Sequence, residues 1–509
     1  MYKRAAGLSL LAAILIALSG CRRDAREAGT VTFLIESSPA SLDPRIGTDA
    51  QAEHIDELLF DSLVHKRADF GLEPWIATSW DTPDPLTFVF HLRTDVKFHN
   101  GQPLTARDVK WTLDSVRDGT VITAKAGTFR TVDRVDAPDP ATVIVHLKRP
   151  DASLLWNLSD GAIGIVPYGS GRDFQQHPIG SGPFRFVSQQ IDKEVVIERN
   201  AVSWQAAPQI ARVRFSVVPD AITRALELRK GSADVAVNAL TADMIYSLRN
   251  DPQLAIERAP GTPVQYLTFN LTDPILKDAR VRRAIALAID RNAIIHALWR
   301  DTAQPAHSLL PRGHWAYSDA AGALSFDPPQ ARALLDNAGY HTGADGVRFH
   351  ISLKTSTDES SRLLAAILQQ QLRQIGIALD IRSFEFATFY ADITHGAFQM
   401  YGLRWLGGNE DPDIFRYAFA SSSFPPKGAN RGHYTNPALD TLVERAGAIY
   451  DQPARRQDYV TVQRILAEDL PALPLWYLDT VVIHQRHLTG VEASRSGTFD
   501  FLRTATLLR

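Results

Sequence analysis

The stretch Tyr401–Phe415 gathers more residues able to hold a small molecule than any other part of the chain. Trp405 offers a flat apolar face with an N–H at its edge, and Gly407 and Gly408 allow a close turn. Glu410, Asp411 and Asp413 follow on what must be a loop and add carboxylates that can accept charge-assisted hydrogen bonds from a cation. Two quieter readings fit the same residues. Trp405 could pack in a core beneath the loop, and Asp411-Pro412-Asp413 could cap a helix. Catalytic chemistry finds less support. No Gly-Lys dipeptide is present to form a Walker A loop, and neither His-Glu-x-x-His nor Gly-x-Ser-x-Gly occurs. A single cysteine rules out thiolate zinc sites, and the spacing of His484 and His487 reads as solvated surface rather than as metal ligands. Glu410 and Asp411 could do acid–base work, but no orienting group or oxyanion donor accompanies them. An enzyme is possible but unsupported by these residues, and no catalytic residue, metal or cofactor is expected.

Elements must position these residues, and the chain is long enough to supply several layers. Its 509 residues exceed what one hydrophobic core holds, so two or three domains are expected. With 45% hydrophobic and 22% charged residues and a net charge of −3, the composition suits a globular protein and argues against a nucleic-acid surface. Lys3 and Arg4 precede an uncharged apolar run from Ala5 to Leu18, which leads through Ser19 and Gly20 into Cys21, the only cysteine. This arrangement resembles a bacterial lipobox. It implies a signal peptide over 1–20, cleavage before Cys21, lipid on Cys21 and a polar tether over 21–29. An ordinary secretory signal is the alternative. Either way the mature chain is expected outside the cytoplasm, with no internal disulfide and no later membrane span.

Alternating residues predict strands at Val31–Ile35, Thr87–Leu92, Thr142–Leu147, Val195–Ile197 and Val213–Val218. Beyond about residue 265 strands alternate with long helices. Asp278 caps a helix with Val281, Ala284, Ile285 and Ala288 on one face, and Asp327-Pro328 opens another that stops at Gly339. A strand over 348–354, a helix carrying Leu363, Leu364, Ile367, Leu368, Leu372 and Ile375, and a strand at Ile377–Ile381 together predict a parallel βαβ unit. The turn at His99-Asn100-Gly101 reads as structural. The Gly180-Ser181-Gly182-Pro183 run is either a close backbone approach to a ligand or a tight connection.

Several segments, in order, resemble solute-binding protein family 5, the dipeptide/oligopeptide/nickel-type receptors of ABC importers. They are Leu72-Glu-Pro-Trp-Ile-Ala-Thr-Ser-Trp80, His91-Leu-Arg93, Val96-Lys-Phe-His-Asn-Gly101, Pro103-Leu-Thr-Ala106 with Asp108-Val-Lys110, Pro178-Ile-Gly-Ser-Gly-Pro-Phe-Arg-Phe186, Asp278 to Arg291, Asp327 to Tyr340, Trp405 with Asp411-Pro412-Asp413, and Pro471 to Trp476. The resemblance implies an α/β fold: a two-lobed, type II periplasmic-binding-protein-like receptor of the large peptide-binding class with an inserted subdomain. Lobe I would comprise 30–50, 177–262 and 480–509, the insertion 51–176 and lobe II 263–476, hinged where the chain crosses near 263–270 and 476–481. It also implies a peptide or other small solute as ligand, a permease with separate ATPase subunits as partner, a monomeric receptor, and a periplasmic or other extracytoplasmic location with a lipid anchor. In peptide-binding members a Trp at the position of Trp405 lines the cleft, and an Asp three residues later holds the peptide's α-ammonium. Here that position is Gly408. Either Glu410 or Asp411 takes over, or the solute carries no ammonium, which keeps a sugar or metal-chelate receptor open as an alternative and an exported hydrolase as a lesser one. Tyr401, Tyr266 and Asn270, together with Thr48 and Asp49 of the first loop, complete the expected cleft. Lys354 reads as a solvated strand end.

Overall fold

The structure, a computed structural model, describes residues 29–159, 161, 163–319, 324–407 and 410–508. The leader, Cys21 and Gly408 lie outside the described residues. Two large sheets and one small one organise the chain. The first has seven strands in the order Leu254–Ala259, Thr480–Gln485, Val235–Val237, Thr30–Ile35, Arg212–Val217, Glu194–Arg199 and Phe184–Gln190. Thr30–Ile35 sits near its centre and runs parallel to both neighbours, in register Val31 with Val213 and Phe33 with Val235. A strand enclosed in this way is buried on both faces, and Val31, Phe33, Leu34 and Ile35 are all in the core. Between the first strand and this sheet's return at Phe184, the chain builds a separate antiparallel sheet of four strands, Ala77–Asp84, Thr87–Leu92, Thr142–Leu147 and Val132–Asp139. Phe88, Phe90, Val143 and Val145 alternate inward onto helix Ala106–Arg117.

The second large sheet has six strands, in the order Ala303–Pro305, Ala472–Leu478, Val264–Phe269, Met400–Trp405, Phe349–Ser356 and Ile377–Phe384. The βαβ unit read from the sequence is present: Phe349–Ser356 pairs in parallel with Ile377–Phe384, and helix Glu359–Arg373 makes the crossover. Leu364, Leu368 and Leu372, at i, i+4 and i+8, face the sheet, whereas Leu363 is 48% exposed. At about 100° per residue, position 363 falls beyond the edge of that stripe, so its assignment to the buried face is corrected. The helices capped by Asp278 and Asp327 form as expected, each cap side chain accepting a backbone N–H in the first turn.

The chain passes from the seven-stranded to the six-stranded sheet between Ala259 and Val264 and returns between Leu478 and Thr480. The two crossings touch. A Cβ at Gly261 would fall 2.2 Å from the Leu478 carbonyl oxygen, and the Leu478 N–H donates to Pro263 O at 2.9 Å. Only glycine permits that approach. Asn270 does not belong to this crossing. It follows the far end of Val264–Phe269, where its side-chain amide donates to Phe398 O at 2.9 Å and its carbonyl accepts from Thr272. It locks a turn and points away from the hinge.

Candidate functional site

Strands Val264–Phe269 and Met400–Trp405 pair antiparallel, with Val264 opposite Trp405, Tyr266 opposite Leu403 and Thr268 opposite Tyr401. Alternation then puts Tyr266 and Thr268 on the same face as Tyr401, Leu403 and Trp405. The rings meet there: Tyr266 lies 6.2 Å from both Tyr401 and Trp405, and Trp405 meets Tyr417 edge-on at 6.1 Å. Tyr266, Thr268, Tyr401 and Trp405, with Phe419, Arg431 and Tyr434, line a pocket. Trp405 is half-buried, packed against Tyr266 on one side and bordering the cavity on the other. Beside it the exposed side chains of Leu406, Tyr417, Tyr390 and Phe386 continue an apolar surface.

Two polar groups in this cavity lack partners. Arg431 is 7% exposed; one of its terminal nitrogens donates to the Tyr390 hydroxyl at 2.8 Å, but its Nε has no partner and it forms no ion pair among the described residues. The Tyr266 hydroxyl is likewise buried without a partner. Burial pushes its phenol well above the usual value, and the neighbouring Tyr401 adds to the shift. A buried guanidinium with no carboxylate and a buried hydroxyl with no acceptor both call for an anionic or acceptor-rich guest.

The acids that follow Trp405 are engaged elsewhere. Asp411 is buried and lies 3.6 Å from Arg455, and it accepts the Asp413 N–H at 3.0 Å. Asp413 precedes helix Ile414–Phe419 and pairs with Arg416; burial nevertheless raises its carboxyl to about 6. Glu410 reaches Lys66, on the strand Val64–Lys66 that pairs with Leu72–Pro74, at 3.5 Å. Its carbonyl accepts from His314 at 2.9 Å, and the His314 ring stacks on Phe70 at 5.3 Å. Glu410 therefore sits at a junction between the two halves of the molecule. In the first loop Thr48 is exposed. Asp49 caps helix Ala50–Leu59 through the Ala52 N–H at 2.9 Å and also accepts from Ala40. Asp43 forms a fully buried pair with Arg45 at 2.7 Å.

Other sequence expectations divide. The His99 ring ties two loops together: Nδ1 accepts from Gly180 N–H at 3.2 Å and Nε2–H donates to Gly182 O at 3.1 Å. Burial lowers its pKa to about 4, so it is neutral. The Gly180–Pro183 run is a tight connection: a Cβ on Gly180 would stand 1.8 Å from Leu59 O. Lys354 is not a solvated strand end but pairs with Asp392 at 2.6 Å under the Phe384 ring. His484 is buried in the first sheet, which corrects its solvated reading, whereas His487 is partly exposed and pairs with the buried Asp234 at 2.9 Å. Among the described residues no group of three or more His, Cys, Asp or Glu is placed to hold a metal ion. Arg431 and Tyr390 escaped the sequence reading. Neither sits in a motif; Arg431 shares the pocket lining with Trp405, and Tyr390, on helix Phe386–Thr394, bonds to Arg431.

Comparisons with known proteins agree with this architecture. The family model "Bacterial extracellular solute-binding proteins, family 5 Middle" matches residues 71–425. Di/tripeptide-binding protein 1 of Pseudomonas aeruginosa (strain UCBPP-PA14) is 28% identical over 506 residues, covering 93% of this chain and 92% of its own. Among solved structures, HbpA2 from Haemophilus parasuis superposes with a TM-score of 0.84 at 25% identity, covering 94% of this chain and 100% of the other. DppA from Helicobacter pylori in complex with the peptide STSA gives 0.75 at 25% identity, over 94% and 98%. With its two large sheets joined by paired crossings and a family match over most of its length, the chain belongs to the bacterial extracellular solute-binding proteins of family 5 and has their two-lobed type II periplasmic-binding-protein fold.

Proposed function

We propose that this protein is the extracytoplasmic receptor of an ABC importer and captures a peptide or peptide-like solute between its lobes for delivery to a permease powered by separate ATPase subunits. In this reading lobe I comprises residues 30–50, 177–262 and 480–509, with 51–176 inserted in it, and lobe II comprises 263–476. The observation that carries it is the aromatic cavity of lobe II with the unpaired Arg431 inside. Aromatic faces suit peptide planes and side chains of varied shape, and the guanidinium suits a terminal carboxylate. The di/tripeptide-binding name of the Pseudomonas relative and the peptide held by the Helicobacter structure support the same class of solute. Solute bridging both lobes shifts the equilibrium toward the closed form by its differential affinity for that form. Cys21 would tether the receptor to a membrane through lipid.

Native mass spectrometry of gently purified protein, followed by calorimetry with the co-purified solute, tests the assignment. Trp405→Ala should weaken binding by roughly 30- to 1000-fold, the range for losing a central aromatic contact of about 2–4 kcal/mol. Unchanged affinity in that variant removes this wall from the binding site. A co-purified sugar or metal chelate in place of peptide overturns the solute class.

A further inference from the structure

A second pocket lies in the other lobe and is lined by Pro44, Asp56, Glu57, Phe60, Ser62 and Lys125, together with Gly161, Ile163 and Gly164. Its unusual feature is Asp56, in helix Ala50–Leu59. The residue is only 5% exposed, yet neither carboxyl oxygen has a hydrogen-bond partner. Two cations are close by, and the charge of one of them, Lys125, favours the ionised form of Asp56. Arg45 is held by Asp43 at 2.7 Å, and the Lys125 ammonium donates to the Pro44 carbonyl at 2.9 Å. Glu57 stands beside Asp56 on the same helix, with His54 3.5 Å from its carboxyl. Removing a carboxylate from water without supplying a donor is costly, and native structures rarely leave one so. The location matters as much as the chemistry. A Cβ on Gly161 would lie 2.6 Å from Glu57 Oε1 and 3.5 Å from Lys66 Nζ, and Lys66 itself reaches Glu410 of lobe II at 3.5 Å. The cavity thus adjoins the place where the two lobes meet.

We propose that this cavity receives a cationic group of the transported solute, an ammonium or a guanidinium, with Asp56 as its counter-ion and Glu57 beside it. The inference rests on the peptide reading above and deepens it. The loop of lobe II offers Gly408 where an acid would otherwise stand, Asp411 is paired with Arg455, and Glu410 faces Lys66. The positive end of the solute is then recognised by lobe I and its negative end by Arg431 of lobe II. Burial pushes the Asp56 carboxyl well above its usual value; Lys125 opposes this, while Asp43, Asp49 and Glu53 add to it. Burial thus disfavours the ionised carboxyl and an arriving cation favours it, so cation binding should be accompanied by proton release.

Calorimetry with two probes tests this: a tripeptide mixture with free amino ends and the same mixture N-acetylated, each titrated in two buffers of different ionisation enthalpy. Wild-type protein should prefer the free-amino mixture at least ten-fold and release protons on binding it. Asp56→Asn, which keeps the shape, should cut the preference below about two-fold, abolish proton release and leave affinity for the acetylated mixture unchanged. If the variant keeps the preference, or wild-type protein shows neither preference nor proton release, Asp56 is not the counter-ion and the cavity is merely hydrated. The proton count is read on wild-type protein, so it holds even if the variant folds poorly. If neither mixture binds to wild-type protein, the peptide reading fails and the inference falls with it.

Discussion

Acid should loosen the junction at His314, and the size of the effect follows from the geometry of one ring. His314 is 4% exposed; Ala316 N–H donates to its Nδ1 at 2.9 Å, so Nε2 carries the hydrogen and donates to the Glu410 carbonyl at 2.9 Å. A second proton has no acceptor: placed on Nδ1 it would face the Ala316 N–H. Burial accordingly pulls the pKa down to about 4; the Glu410 carbonyl, Asp411 and Glu410 raise it by less, and Arg455 lowers it further. An unfolded histidine titrates near 6.5. Between those values the unfolded chain binds a proton that the folded protein refuses, so the stabilising contribution is complete above pH 6.5 and is lost as pH falls toward 4. A gap of this size is worth about 3 kcal/mol in full and about 2 kcal/mol between pH 7 and pH 5. Urea unfolding of wild-type protein and His314→Asn at the two pH values measures it. The variant loses its own hydrogen bonds at every pH, and all other groups titrate in both proteins, so only the difference between the two pH dependences is read. Wild-type protein should lose about 2 kcal/mol more than the variant on going from pH 7 to 5. Equal losses would show that His314 is protonated in the folded protein and would refute the neutral-ring account of the junction.

Two further outcomes follow from close contacts and from the leader. Gly180→Ala puts a methyl carbon 1.8 Å from the Leu59 carbonyl at the end of helix Ala50–Leu59, a contact no rotamer can relieve. The backbone must shift, and with it the loop held by His99; thermal unfolding should report a loss of about 3 kcal/mol or more, and a variant as stable as wild type would mean that the loop is not packed as described. Cys21→Ser should release the protein from membranes in cell fractionation; a variant that still sediments with membranes at the wild-type mature mass would rule out lipid on that residue.

The sequence was most legible where a period decides burial. Leu364, Leu368 and Leu372 announce a helix on a sheet, Asp278 and Asp327 announce its neighbours' starts, and each appears in the structure where expected. Polar residues were the least legible, because polarity alone does not say whether a side chain meets water or a partner hundreds of residues away. His487 finds Asp234 from far along the chain, and at shorter range Lys354 finds Asp392 and Arg45 finds Asp43, yet each would read equally well as a surface residue. The candidate site suffers most from this. Trp405 was visible through its motif, whereas Arg431 reaches the cavity only because the strands at 264–269 and 400–405 pair beneath the segment that follows helix Ile414–Phe419.

If the proposed contacts hold, the buried polar groups left without ion-pair partners would constrain the solute further. Structural ion pairs in this protein are closed: Asp43 with Arg45, Asp411 with Arg455 and Asp413 with Arg416 each satisfy a buried acid with a nearby base. Arg431 in one lobe and Asp56 in the other are buried to a similar degree and left open. A neutral solute would have to leave both unsatisfied on closure, at a cost of roughly 1–3 kcal/mol or more for each. On the proposal above, a solute with a negative end toward Arg431 and a positive end toward Asp56 would satisfy both. Those two contacts would then favour closure over mere binding, because either lobe alone offers the solute just one of them.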